Sequence, residues 1–295
     1  MIGTQTGTGG ASSLRIIRTA DELRTAVEKV RENGTVVGLV PTMGALHEGH
    51  LALVRRARRD CGLVVASLFV NPTQFGENED FDSYPRDEDR DLALFEQNGV
   101  DIVYAPGVDE MYPDGFGITV TVAGLTEGLC GATRPGHFDG VTTVVSKLFD
   151  HCRPDAAYFG EKDYQQLKVI QQMVRDLDLP IRVVGIPIVR ERDGLALSSR
   201  NAYLDVSERR IAPALPGTML AVAGRLADGV DLEAQCRWGS DALLGAGFDR
   251  VDYFEIRDTE TLEPAEAFRS GLRIFAAAWL RGTRLIDNLA VDEIG

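Results

Sequence analysis

The sequence predicts an α/β protein, with helices around a parallel sheet over residues 1–189 and a smaller α+β domain over residues 190–295. Three observations carry this. Short apolar runs alternate with amphipathic stretches as far as Val189. The apolar runs are short and bounded by Pro, Asn or Gly, as strands are. Beyond Val189 the alternation gives way to two helical stretches followed by two late apolar runs.

Taken in order, residues 35–40 are apolar and β-branched and end at Pro41, which predicts a strand. Residues 49–61 put Leu51, Leu53, Val54 and Ala57 on one face. Arg55, Arg56, Arg58 and Arg59 lie on the other, as a wet helix face. Residues 63–70 are a buried strand stopped by Asn71-Pro72. Residues 85–97 are a helix opened by Pro and acids and closed by Asn98-Gly99. Then come a strand at 101–104, a helix at 141–151, a strand at 155–159, a helix at 162–177 and a strand at 181–189. Strand–helix–strand units of this kind build a parallel sheet. In the second part, 207–226 and 232–244 are predicted helices, and 251–256 and 272–280 predicted strands.

Composition narrows the function. The chain carries 31 Lys and Arg against 45 Asp and Glu, a net charge of −14. Both parts are acidic: residues 1–189 hold 18 basic and 27 acidic groups, and residues 190–295 hold 13 and 18. Nucleic acid is therefore not expected as a partner, because displacing its counterions takes a basic footprint. Neither long apolar run, 63–70 or 274–280, approaches the ~20 residues of a membrane span. Residues 1–13 are Gly, Thr and Ser rich and are expected to form a flexible tail rather than a signal peptide. Cys61, Cys130, Cys152 and Cys236 form no C-x-x-C pair, so reduced thiols in a cytoplasmic protein are expected.

The sharpest local signal is Pro41-Thr42-Met43-Gly44-Ala45-Leu46-His47-Glu48-Gly49-His50, where a predicted strand passes into a helix. Ligands of parallel sheets bind at the carboxyl ends of strands. A helix N-terminus adds free N–H groups that favour phosphate. His47 and His50 stand three apart, so one helical turn brings them to one face. Two imidazoles there can donate to phosphate oxygens and stabilise charge building on a leaving pyrophosphate. A zinc protease reading fails, because it needs His-Glu-x-x-His with a spacing of four. Two of the chain's four histidines fall in this decapeptide, which weighs against a mere helix cap.

His47-Glu48-Gly49-His50 resembles the His-x-Gly-His motif of the nucleotidylyltransferase superfamily. The longer string 40–50 resembles the pantothenate synthetase (pantoate–β-alanine ligase) family. So do Phe69-Val70-Asn71-Pro72-Thr73-Gln74-Phe75, Tyr84-Pro85-Arg86 and Arg134-Pro135-Gly136-His137-Phe138. Further matches are the segment 159–166, Leu197-Ser198-Ser199-Arg200-Asn201 and the late string Thr283-Arg284-Leu285-Ile286-Asp287-Asn288. The resemblance covers nearly the whole chain. It implies a Rossmann-like nucleotide-binding domain over 1–189 and a lid domain over 190–295. It also implies a homodimer, and ligation of pantoate and β-alanine through pantoyl adenylate with release of AMP and pyrophosphate. Transfer of a nucleotidyl group to another acceptor is the alternative within the superfamily, and a nucleotide-binding protein without turnover the alternative outside it.

The resemblance also implies site residues. Met43, His47, His50, Gly160, Lys162, Asp163, Val189, Leu197, Ser198, Ser199 and Arg200 are expected at ATP. Among them His50 is the expected proton donor, with His47, Lys162 and Arg200 as further catalytic groups. Lys162 suits phosphate as a point charge, and the chain has only four lysines. Asp163 and the Gly160 backbone are expected at the ribose hydroxyls, and Val189 at adenine. Ser198, Ser199 and Arg200 form a second phosphate loop. Gln74 and Gln166 are expected to hold pantoate through amides that both donate and accept, with Tyr84 in the same pocket. Gln165 is expected on an exposed helix surface, and His151 in a structural role. Residues 77–91 hold eight acids and two arginines, supplying −6 of the −14. The plain reading of that run is a solvated face. Asp91 is the expected contact of the Mg²⁺ that accompanies ATP.

Overall fold

The computed structural model describes residues 14–76, 79–227 and 229–293. The tail expected at 1–13, and Glu77 of the acidic run, lie outside the described residues.

In chain order the first part comprises β1 (Arg15–Ile17), α1 (Ala20–Arg31), β2 (Val37–Thr42), α2 (Glu48–Asp60), β3 (Leu63–Leu68), α3 (Glu88–Gln97) and β4 (Ile102–Tyr104). It continues with α4 (Val108–Met111), α5 (Leu129–Thr133), α6 (His137–Cys152), β5 (Ala156–Gly160), α7 (Tyr164–Asp176) and β6 (Arg182–Ile186). The six strands form one parallel sheet in the order β1-β4-β3-β2-β5-β6. From β2 the chain builds β3 and β4 to one side and β5 and β6 to the other. The strand order therefore reverses at β2/β5, which opens a crevice at their carboxyl ends.

One face of the sheet packs on α1, α6 and α7 through Leu23, Leu39, Val65, Leu148 and Ile170. The other packs on α2 and α3 through Val40, Val54, Val64 and Phe95. Strands buried on both faces explain the continuous apolar runs. β2 extends through Pro41 instead of ending before it. Pro41 sits opposite Ser67, and the pairing of β2 with β5 has ended at Leu39. The missing N–H therefore costs no ladder bond on that side. Helix α3 starts at Glu88 rather than at Pro85, because the Asp87 side chain accepts from the Arg90 N–H and fixes the start there.

The second part comprises α8 (Val206–Ile211), α9 (Ala214–Ala223), α10 (Leu232–Ala246), β7 (Arg250–Asp258), β8 (Leu272–Leu280) and β9 (Thr283–Ala290). The three strands are antiparallel in the order β7-β8-β9. The single helix expected over 207–226 is two, parted at Ala212-Pro213, where proline removes a helix bond. Helices α9 and α10 cover one face of this small sheet, with Met219, Leu243 and Ile274 in the core between them. Its other face presents Tyr253, Phe275 and Ala277 to the core of the parallel-sheet part.

Candidate active site

Fourteen of the fifteen expected site residues line one cavity of about 230 Å³. It opens at the carboxyl ends of β2, β3 and β5, where the strand order reverses. The exception is Asp91.

The segment 42–50 is built as a rigid cup. Gly44 and Ala45 take left-handed backbone angles, with φ of 83° and 50°. A Cβ on Gly44 would lie 2.8 Å from the Asp91 carboxylate, so only glycine fits there. Asp91, 1 % exposed, accepts from the N–H groups of Ala45 at 2.8 Å and Leu46 at 2.9 Å. Burial pushes its carboxyl above the usual carboxylate range, and the two N–H groups draw it back. Both oxygens are thus engaged by the loop and neither faces the cavity. The Mg²⁺ role expected of Asp91 is corrected: it is a buried anchor for the loop. Among the described residues no group of three or more His, Cys, Asp or Glu side chains could hold a metal ion.

Helix α2 begins on a reciprocal cap. The Gly49 N–H donates to His47 Nδ1 at 3.1 Å, and the His47 N–H points to His50 Nδ1 at 3.4 Å. With each Nδ1 accepting, a neutral ring must carry its proton on Nε2. The rings lie against each other at 4.1 Å between centroids, tilted by 38°. Burial lowers the His50 pKa to about 3, helped by the neighbouring His47 ring, when protonated, and by Lys162. Burial and Lys162 lower that of His47 to about 4. Both rings are therefore neutral donors at pH 7.

After β3, the Asn71 side chain donates to Gln74 Oε1 and to the Gly140 carbonyl, both at 3.1 Å. The Gln74 amide in turn reaches Met43 Sδ at 3.0 Å. Tyr84 is buried beside them, and burial raises its hydroxyl pKa. Behind Gln74 stands His137, whose Nδ1 lies 2.8 Å from the Gln74 carbonyl and whose Nε2 lies 2.9 Å from Arg134. Burial and Arg134 lower the His137 pKa to about 4.

Across the cavity, β5 ends in Gly160, where a Cβ would meet nothing within 4 Å, so the backbone there is open to a ligand. A 3₁₀ turn, Glu161–Asp163, follows and carries Lys162. Gln166 lies on the cavity side of α7. Gln165 corrects its expectation. It is 6 % exposed, donates to the Leu125 and Gly128 carbonyls at 2.8 Å, and accepts from the Cys130 N–H at 3.0 Å. His151 is also buried, 2.9 Å from the Tyr104 hydroxyl, in keeping with a structural role. Arg58 is less wet than expected, because it donates to Asp101 and to the Cys61 and Gly62 carbonyls.

The last wall is the segment 189–200. The Leu197 N–H donates to the Val189 carbonyl at 3.0 Å, and Ser198 caps a 3₁₀ turn, Ser199–Tyr203. The Ser199 hydroxyl donates to the Ala45 carbonyl at 3.0 Å, joining the two loops. Arg200 makes a bidentate pair with Asp80 at 3.0 and 2.7 Å, and Arg134 pairs with Glu79. Burial pushes the Asp80 carboxyl up, but the Arg200 contacts outweigh it and leave the pKa lowered. Asn71, Glu79, Asp80 and the Arg134–His137 pair adjoin the expected site residues and were not singled out as site residues by sequence reasoning. The acids lay within a run that resembles any solvated face.

A family model described as Pantoate-beta-alanine ligase matches residues 15–290. The chain belongs to that family. Among its relatives, pantothenate synthetase from Dinoroseobacter shibae is 57 % identical over 277 residues, covering 94 % of this chain and 99 % of that one. The crystal structure of pantothenate synthetase from Thermus thermophilus is similar with a TM-score of 0.88 at 52 % identity, covering 94 % and 99 %. The crystal structure of pantoate-beta-alanine ligase from Francisella tularensis, complexed with beta-gamma ATP and beta-alanine, is similar with a TM-score of 0.80 at 31 % identity. It is covered over 98 % of its length, and this chain over 95 %. No helix among the described residues is long and apolar enough to cross a membrane.

Proposed function

We propose that the chain joins pantoate to β-alanine with ATP, through pantoyl adenylate, releasing pyrophosphate and AMP. One observation carries the reading: the two histidines, Lys162, the Ser198–Arg200 loop and both glutamines line a single cavity at the strand-order reversal, in a chain of this family.

In the first step a pantoate carboxylate oxygen attacks the α-phosphorus, and the bond to the β,γ-pyrophosphate breaks. Gln74 and Gln166 hold pantoate, with the Gln74 amide preset by Asn71, and Tyr84 closes that end. Lys162 and Arg200 face the charge that builds on the leaving pyrophosphate, as do Ser198 and Ser199. His47 and His50 donate Nε2–H to phosphate oxygens. The neutral state of His50 favours a hydrogen-bond donor over the proton donor expected from the resemblance. Met43, Gly160, Asp163, Val189 and Leu197 bind the nucleoside, with Asp163 at the ribose. In the second step the β-alanine amine attacks the pantoyl carbonyl carbon, and AMP leaves.

Mg²⁺ is expected to arrive with the nucleotide as MgATP, held chiefly by phosphate oxygens and water. Residues 190–295 act as a lid over the 1–189 domain, which keeps water from a hydrolysable adenylate. A cytoplasmic homodimer is what the family resemblance implies, and light scattering in solution tests the dimer. The activity is tested by omitting each substrate in turn. Pyrophosphate release should need pantoate and ATP, and AMP release should need β-alanine as well. Nucleotidyl transfer without pantoate would overturn the reading in favour of another transferase.

A further inference from the structure

The late string 283–288 has no role in the chemistry above, although it lies on β9 in the smaller part. Its Asn288 is 2 % exposed, on the face of the small sheet that meets the parallel-sheet part. The side-chain amide donates to two carbonyls across that boundary, those of Glu161 at 2.8 Å and Lys162 at 2.9 Å. Those carbonyls belong to the 3₁₀ turn that carries Lys162 and Asp163.

The amide can point only one way. Its Oδ1 accepts from the Arg273 guanidinium, which has donors and no acceptor, so the NH₂ group must face the carbonyls. Arg273 is itself held at the same turn. Its guanidinium lies 4.0 Å over the Tyr164 ring and 4.0 Å from the Glu161 carboxylate. The neighbouring Asp287 makes a bidentate pair with Arg190, at 2.6 and 2.9 Å, directly after Val189. Thus β9 grips both the lysine turn and the chain beside the adenine contact.

We infer that Asn288, oriented by Arg273, is the positioning residue that sets the Lys162–Asp163 turn for ATP. The inference rests on the function proposed above. It makes Asn288 a support of the nucleotide half of the site. The start of α7, with Gln166, is anchored by the three hydrogen bonds of Gln165, none of which involves Asn288.

The test is a split in affinities, measured by calorimetry on the full chain without turnover. Asn288→Asp keeps the size and the Arg273 contact but turns an acceptor toward two carbonyls. ATP affinity should fall about tenfold while pantoate affinity stays within about twofold, since orphaned buried groups act locally. Unchanged ATP affinity, or an equal fall for both ligands, overturns the inference. Should Asn288→Asp not fold, Arg273→Gln frees the amide to rotate. The same split there supports the assignment, and its absence overturns it. A parent chain that binds neither ligand would count against the proposed function instead.

Discussion

The loop 42–50 and the arm 198–203 reach the same cavity but are held by different physics. The loop is fixed from behind by a carboxylate that is 1 % exposed and accepts two backbone N–H groups. The arm is tied by the Arg200–Asp80 pair, whose side chains are 28 % and 21 % exposed. Buried hydrogen bonds to a charged group are costly to break, and their partners stay put. A partly solvated ion pair contributes little and can be exchanged for another anion. This difference predicts preorganised donation from the loop, and contacts in the arm that change as phosphate arrives.

The largest effect should come from removing a donor on the rigid side. His50→Ala should slow adenylate formation about a hundredfold, ~3 kcal/mol of transition-state stabilisation, in single-turnover pyrophosphate release. A near-normal rate would mean that His50 makes no donor contact that strengthens in the transition state. Asp91→Ala should follow, leaving two buried N–H groups unpaired and costing ~2–4 kcal/mol in urea unfolding. Its Mg²⁺ requirement should not change; a shifted requirement would restore the metal role.

Much of this was legible in the sequence. Strand–helix alternation specified the parallel sheet, and co-occurring motifs specified the cavity. The short β1 has too few residues for a period to show. The α1 helix was missed, although Thr19-x-x-Glu22 is a capping signature and Thr19 caps it. Strand β9 was hidden because Thr283-Arg284 and Asp287-Asn288 interrupt its alternation with polar groups that are buried by ion pairs and hydrogen bonds. Asp91 looked like a metal ligand because a carboxylate bound to a distant loop's backbone leaves no local pattern. Gln165 and Gln166 are adjacent amides with opposite fates, decided by which carbonyls the fold brings near.

On the exchangeable side, Asp80→Asn should lower the KM for ATP a few-fold, because phosphate no longer competes with a carboxylate for Arg200. A raised KM would mean that Asp80 orients Arg200 and would erase the contrast between the regions. The smallest effect concerns pH. With folded pKa values of about 4 for His47 and about 3 for His50, the adenylation rate should show no histidine inflection near 6.5. The unfolded chain binds more protons than the folded one between those values and about 6.5. The histidines' contribution to stability is therefore full above 6.5 and falls as the pH drops below it. A rate that follows a group titrating near 6.5 would return His50 to proton transfer.

In the proposed first step a pantoate oxygen becomes bonded to the α-phosphorus of ATP. Pantoate labelled with ¹⁸O in its carboxylate, turned over with ATP and β-alanine, tests this through mass spectrometry of the AMP. The amine attacks carbon and breaks the carbon–oxygen bond, so the AMP phosphate should carry one labelled oxygen. AMP without label, or label in inorganic phosphate alongside ADP, would contradict the account.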